Sequence, residues 1–132
     1  MRKINTHKIA ECSIPEPAQL NDLIQVEATD DPGSGNAHHA YQFSLYRDKE
    51  WQKQGRVDFQ KGPLHEPGAG VNGISNEALL AVVIDRLRCF QAGPMNYWEN
   101  FHALAKLEEA MHWLHHRTRD RLNRGVEGTE NK

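Results

Sequence analysis

The pattern of apolar and polar positions divides the chain into a strand-rich half and a helical half. In the first half, apolar and polar residues alternate over residues 23–28, 37–47 and 56–60, the period of a strand with one buried face. Turn-forming residues fill positions 30–36, and a polar connection covers positions 48–55. The sequence therefore predicts a three-stranded antiparallel meander.

The second half carries apolar residues at intervals of three and four, which is the period of an α-helix. Ser75 is a good N-cap for a first helix, Gly93 ends it, and a second helix is predicted from near Asn96 to Arg124. Residues 78–84 are apolar on all sides, which predicts that this segment packs either on the sheet or on another copy of the chain. The second helix, about 40 Å long, also favours an oligomer.

The predicted fold is therefore α+β: a small N-terminal antiparallel β-sheet followed by a long antiparallel helical hairpin, assembled as a homo-oligomer. The predicted segments are an N-terminal arm (residues 1–22), a small antiparallel β region (23–60), a Gly/Pro-rich loop (61–73), the helical hairpin (74–124) and a tail (125–132).

Composition and charge narrow the class of protein. The 132 residues include 16 Lys and Arg against 18 Asp and Glu, and the resulting net charge of -2 argues against a protein that coats a nucleic-acid polymer. The two cysteines, Cys12 and Cys89, are too few and too far apart for a disulfide framework or a Cys-based zinc site. The longest apolar run, residues 78–84, is far too short to span a membrane. We expect a cytoplasmic protein without a membrane partner.

The glycines of the predicted loop match a nucleotide-binding motif in spacing but not in structural context. Gly68, Gly70 and Gly73 have the spacing of the dinucleotide fingerprint and precede a helix, but no parallel strand is predicted after that helix. Two interpretations stay open: a loop whose amide groups help to bind a phosphate, and a plain connector.

The histidines favour neither a metal site nor catalysis. Glu108, His112 and His116 share one helix face, and the Glu109–His112 spacing fits a di-iron bundle, but the first helix lacks the second motif such a bundle needs. No nucleophile elbow, zinc-protease or Walker motif is present in the sequence. We therefore expect a solvated or interface stripe of histidines, no metal, no cofactor and no enzymatic activity.

The end of the second predicted helix is locally basic. Residues 117–124 contain four arginines and one aspartate, a local charge of +3, and Arg117 and Arg121 are i, i+4 neighbours. These arginines either compensate the helix dipole or form a pair of guanidinium groups that binds phosphates. The spacing does not decide between the two interpretations.

Several stretches of residues 59–128 carry a family resemblance. They are Phe59-Gln60-Lys61-Gly62-Pro63, Val71-Asn72-Gly73-Ile74, Glu77-Ala78-Leu79-Leu80-Ala81, Ile84-Asp85-Arg86-Leu87, Phe90-Gln91-Ala92-Gly93-Pro94, Glu99-Asn100, Arg117-Thr118-Arg119-Asp120-Arg121 and Arg124-Gly125-Val126-Glu127-Gly128. This half of the chain resembles the helical hairpin shared by the anti-CBASS and anti-Thoeris signal sponges of phages and prophages. It is most similar to the anti-Thoeris branch, which binds a cyclised ADP-ribose.

The resemblance implies a binding site. In residue type and order, Phe90, Asn100, Arg117 and Arg121 match the ligand-binding residues of that branch. Phe90 would then stack on adenine, Asn100 would hydrogen-bond the base or ribose, and the two arginines would hold the diphosphate. Secondary ligand contacts are expected from Asn72, Gly73 and Arg124. The resemblance also implies a hexamer and further sites for cyclic oligonucleotides.

Two functions are therefore expected from the sequence. The first is a phage or prophage anti-defence protein that sequesters cyclic nucleotide immune messengers without altering them. The alternative is a phage structural or adaptor protein whose helices bind a protein partner.

Overall fold

The structure is a computed structural model that describes residues 2–4, 20–65, 68 and 70–125. The chain divides into two compact units, Met1–Lys61 and Gly62–Lys132. Among the described residues, the first unit contains an antiparallel sheet and the second contains two α-helices. The α+β class and the order of sheet before helices are confirmed.

The sheet contains four strands in the order in which they occur along the chain. They are β1 (Arg2–Ile4), β2 (Ile24–Ala28), β3 (Ala40–Arg47) and β4 (Glu50–Asp58), and each neighbouring pair is antiparallel. Short 3-10 turns at Leu20–Leu23 and Ser34–Asn36 lie before and after β2.

The predicted alternation on β2 and β3 is confirmed by their register. The residue pairs directly opposite each other are Ile24 and Leu45, Val26 and Phe43, and Ala28 and Tyr41. Opposite residues in a sheet share a face, so these apolar side chains line one side of the sheet. Ala28 is completely buried, and the Tyr41 ring meets the Phe59 ring edge-on with 5.7 Å between centroids.

The prediction of three strands is wrong, because β1 adds a fourth. Arg2 lies opposite Ala28, and Ile4 lies opposite Val26. This strand falls within residues 1–22, which the sequence assigned to an arm. Three residues are too few to show an alternating pattern, so β1 is defined only by its pairing with β2. Residues 20–22 of the predicted arm belong to the first 3-10 turn, and residues 1 and 5–19 lie outside the described part of the chain.

The predicted polar connection at residues 48–55 is also wrong. The connection between β3 and β4 is the two-residue turn Asp48-Lys49, and β4 already begins at Glu50. Both turn residues have positive φ, 54° and 64°, as in a type I′ hairpin turn. Within the described sheet, β4 is an edge strand and is mostly exposed, so most of its side chains are polar. This polar composition is the reason that the sequence predicted a connection here.

The helical hairpin agrees closely with the sequence. Its helices are α1 (Asn76–Gln91) and α2 (Trp98–Asn123). The predicted cap is confirmed, since the Ser75 hydroxyl accepts the Ala78 N–H at 3.1 Å. The second helix begins two residues later than expected, because Tyr97 and not Asn96 occupies the N-cap, where it makes no side-chain capping bond. The predicted tail beyond Gly125 lies outside the described residues.

The hairpin buries little apolar surface by itself. Of its residues that the structure describes, only Ile84 is buried. Within the predicted all-apolar run, Val82 is 57 % exposed and Val83 is 42 % exposed. The contacts between α1 and α2 therefore leave much of the apolar surface open to a further partner. Neither helix is long and apolar enough to cross a membrane.

A carboxylate fixes the loop that leads into β3. The two Asp30 oxygens accept the backbone N–H groups of His39 and Ala40 at 2.9 and 3.2 Å. The His39 bond is the largest cause that lowers the pKa of Asp30 below its ordinary value of 3.8. The folded state therefore prefers the charged carboxylate, and Asp30 stabilises it fully only above the ordinary pKa.

We expect Asp30→Asn to weaken the pH dependence of stability in acid. Wild type should lose the Asp30 contribution as the pH falls below about 4 and through the lowered folded pKa, whereas the variant has no carboxyl group to protonate there. Urea midpoints followed by circular dichroism from neutral to acidic pH measure the difference, with Asp31→Asn at the exposed neighbouring carboxylate as control. Equal acid losses in wild type and Asp30→Asn would contradict the assignment.

Candidate functional site

Phe90 and Asn100 lie at the turn end of the hairpin. Phe90 is the penultimate residue of α1, Asn100 is the third residue of α2, and both are half-buried. The Asn100 amide donates to the Met95 carbonyl at 3.2 Å, which fixes the amide against the turn. An aromatic ring and a held amide group are therefore available at this end of the hairpin.

Arg117 and Arg121 lie far from that end. They follow Asn100 by 17 and 21 positions on α2, which at 1.5 Å per residue places them about 26 and 32 Å further along the helix axis. The helices run antiparallel, since Arg88 approaches Glu108 at 3.7 Å while Ala81 lines the same groove as His115. One chain alone does not bring the four predicted residues together.

The arginine end of the hairpin also holds the predicted secondary contacts. Asn72 and Gly73 precede α1, at the end to which α2 returns. Arg124 is the C-cap of α2, and its Nε donates to an Asp120 carboxylate oxygen at 3.1 Å, so this charge is partly balanced. Arg117 is exposed and Arg121 is half-buried.

A groove of about 550 Å³ lies between α1 and α2. It is lined by Ala81, Ile84, Asp85, Arg88, Glu108, Met111, His112 and His115. Neither Phe90 nor the arginines at the end of α2 line it, so the groove is separate from the predicted ligand residues.

The described residues do not form a metal centre. Over the described ranges, no group of three or more His, Cys, Asp or Glu side chains is placed to hold an ion. His112 and His116 instead meet the Trp113 ring edge-on, with centroids 5.4 and 5.7 Å away. The described sheet is wholly antiparallel, whereas a Rossmann site requires parallel strands, so the loop glycines do not belong to such a site.

Arg86 also lies near the turn end, and it is not among the residues predicted from the sequence. The Cζ atom of its guanidinium lies 5.5 Å from the centroid of the Phe90 ring, over the ring face. The two residues are i, i+4 neighbours on α1, and this spacing is the signal that could have identified the contact.

The outer face of α2 is rich in exposed aromatic rings. Trp98, Phe101 and Trp113 are 69 %, 58 % and 60 % exposed. The rings of Trp98 and Phe101 each meet His102 edge-on at 5.5 Å, so the three side chains form one surface. Large exposed aromatic side chains are typical of surfaces that bind another protein.

Known proteins resemble somewhat more than half of this chain. The Acb2/Tad1 hairpin domain matches residues 52–119, which include Phe90, Asn100 and Arg117 but end before Arg121. The protein named Thoeris anti-defense 1 from Bacillus phage SBSphiJ7 is 52 % identical over 80 residues. That match covers 61 % of this chain and 55 % of the relative, so it spans about half of the relative's length. This chain therefore belongs to the Acb2/Tad1 hairpin-domain family.

Proposed function

We propose that this chain is a phage or prophage anti-defence protein that binds cyclic nucleotide immune messengers and sequesters them unaltered in the host cytoplasm. The messengers are cyclic ADP-ribose isomers, cyclic oligonucleotides or both. The observation that carries the proposal is the placement of an aromatic ring and an amide at one end of the family's hairpin and two arginines at the other. The anti-defence role is supported by the name of the relative.

The residue types suit a small anionic nucleotide. Phe90 offers a ring face on which a purine stacks, and the amide of Asn100 can both donate and accept at a base or ribose. Arg117 and Arg121 present planar forks of N–H donors that match phosphate oxygens. Sequestration requires only affinity, because a messenger held by this protein no longer reaches its receptor.

A neighbouring copy of the chain would complete the site. The two ends of one hairpin are separated by about 26 Å or more, whereas an antiparallel neighbour would place its arginines beside the first chain's turn end. The exposed apolar side chains Val82 and Val83 support such an assembly. The resemblance to the family favours a hexamer as its final size.

Binding assays test the proposal directly. The purified chain is titrated by calorimetry with cyclic ADP-ribose isomers and with cyclic di- and trinucleotides, and bound ligand is released by heating and identified by mass spectrometry. We expect micromolar or tighter binding and recovery of unaltered ligand. Absence of binding for every messenger contradicts the proposal, and recovery of a changed product assigns the chain to the enzymes.

The second candidate is a phage structural or adaptor protein that binds a protein partner through its helices. The exposed rings of Trp98, Phe101 and Trp113 favour it. Light scattering separates the two functions when it is combined with the titrations. A monomer that binds no messenger supports the adaptor, and an oligomer that binds messengers supports the sponge.

A further inference from the structure

We propose that Arg86 is a positioning residue of the ligand site: its guanidinium covers one face of the Phe90 ring and leaves the other face to the nucleotide base. The proposal rests on the proposed function, because it takes Phe90 as the ring on which the base stacks. It adds a fifth residue to the four main ligand residues that the family resemblance implies.

The geometry is that of a cation–π contact. The 5.5 Å from Cζ to the ring centroid lies within the roughly 6 Å over which a guanidinium is attracted to an aromatic face. Residues four apart on a helix lie one above the other, so the backbone of α1 holds the two side chains as neighbours. The contact therefore lies within one helix and needs no other element.

An ion pair does not explain where Arg86 lies. Arg88, two residues further along α1 and about 160° around its axis, approaches the Glu108 carboxylate at 3.7 Å. Among the residues that the structure describes, no carboxylate lies within ion-pair distance of Arg86, and its contact is the Phe90 ring. A guanidinium is planar and weakly hydrated, which suits it to stacking on a ring.

The contact has a consequence for ligand binding. A phenyl ring has two faces, and a base stacks by covering one of them. With Arg86 on one face, the base takes the opposite face, and the ring is held in the orientation that receives it. Arg86 thus acts through Phe90, whereas Arg117 and Arg121 would contact the phosphates themselves.

Salt dependence separates these two roles. Contacts between exposed cations and phosphates weaken as salt rises, because ions screen them. The packing of a guanidinium on its own neighbouring ring depends much less on salt. Loss of Arg86 should therefore lower affinity by the same factor at low and high salt, and loss of Arg121 should cost more at low salt.

The experiment titrates the cyclic ADP-ribose isomer that wild type binds best, at about 50 and about 500 mM salt. We expect Arg86→Ala to weaken binding about three- to fivefold at both concentrations. Arg86→Lys should restore most of the affinity, because an ammonium group also lies favourably over a ring. Arg119→Ala, at an exposed arginine of α2 outside the proposed site, is the matched control and should bind like wild type.

Circular dichroism melts of each variant show whether the fold is kept, and comparison of Arg86→Lys with Arg86→Ala reports on the cation itself. Unchanged affinity of Arg86→Ala overturns the proposal, and so does a loss confined to low salt, which would make Arg86 a phosphate contact. If wild type binds no messenger, the proposed function fails and the positioning role fails with it. If wild type binds and only the Arg86 variants behave unexpectedly, the positioning role alone is wrong.

Discussion

Replacing both Arg117 and Arg121 by alanine is expected to abolish messenger binding at micromolar ligand concentrations. A hydrogen bond to a charged group contributes about 1.5–3 kcal/mol, so loss of Arg121 alone should weaken binding about 10- to 150-fold. Removal of the second fork from the same diphosphate should take the total beyond two orders of magnitude. Arg117 is exposed and Arg121 is half-buried in the last turns of α2, so the hairpin should remain folded.

Calorimetric titration measures the effect, and Arg119→Ala is its matched control. Arg119 lies on the same helix but about 160° around the axis from Arg121, so its removal takes away an equal charge from another face. Wild-type affinity in the double variant would contradict the phosphate contacts. The remaining interpretation of the arginines would then be compensation of the dipole of α2, which circular dichroism melts of the double variant would show as lost helix stability.

The hairpin could be predicted from the sequence because its signals are local. The cap at Ser75 needs only its neighbours within one turn, and the break at Gly93 needs only the backbone. The period of three and four along α1 and α2 sets both helices without reference to the rest of the chain. These local signals do not depend on a buried core, since Ile84 is the only buried side chain among the described hairpin residues.

The sheet was only partly predictable because β1 and β4 depend on pairing. The alternation in β2 and β3 reflects their apolar face, and it gave those strands nearly correct bounds. The edge strand β4 is mostly exposed, so the polar residues after Trp51 resembled a connection. The three residues of β1 become a strand only because β2 offers them an open edge.

The candidate site, like the sheet, was only partly predictable from the sequence. The separation of Phe90 from Arg117 follows from counting residues along a helix, and the expectation of an oligomer follows from the apolar run at residues 78–84 and the length of the second helix. The contact of Arg86 with Phe90 depends on which way two side chains point, which the i, i+4 spacing permits but does not require. Spacing predicts which residues can be neighbours, and the structure decides which of them are.

Mixing two variants that do not bind is expected to restore binding if neighbouring copies share each site. Phe90→Ala removes the stacking ring from the turn end, and the Arg117→Ala/Arg121→Ala double variant removes the other end. In a random mixed assembly, a site is intact when its turn end comes from the arginine variant and its arginine end from the Phe90 variant. Each condition is met half of the time, so about a quarter of the sites should bind, whatever the size of the oligomer.

The binding stoichiometry of co-expressed chains measures this fraction, and a second mixture supplies the matched control. Wild type mixed with a single chain that carries all three substitutions contains the same mutations in the same amounts. Sites shared between copies give about a quarter intact in both mixtures, whereas a site within one chain gives about half in the second mixture and none in the first. The first mixture is the more direct test, because any binding recovered there requires residues from two chains in one site. A mixture of the two variants that recovers no binding would confine the site to one chain, and α2 would then have to bend to bring Arg117 toward Phe90.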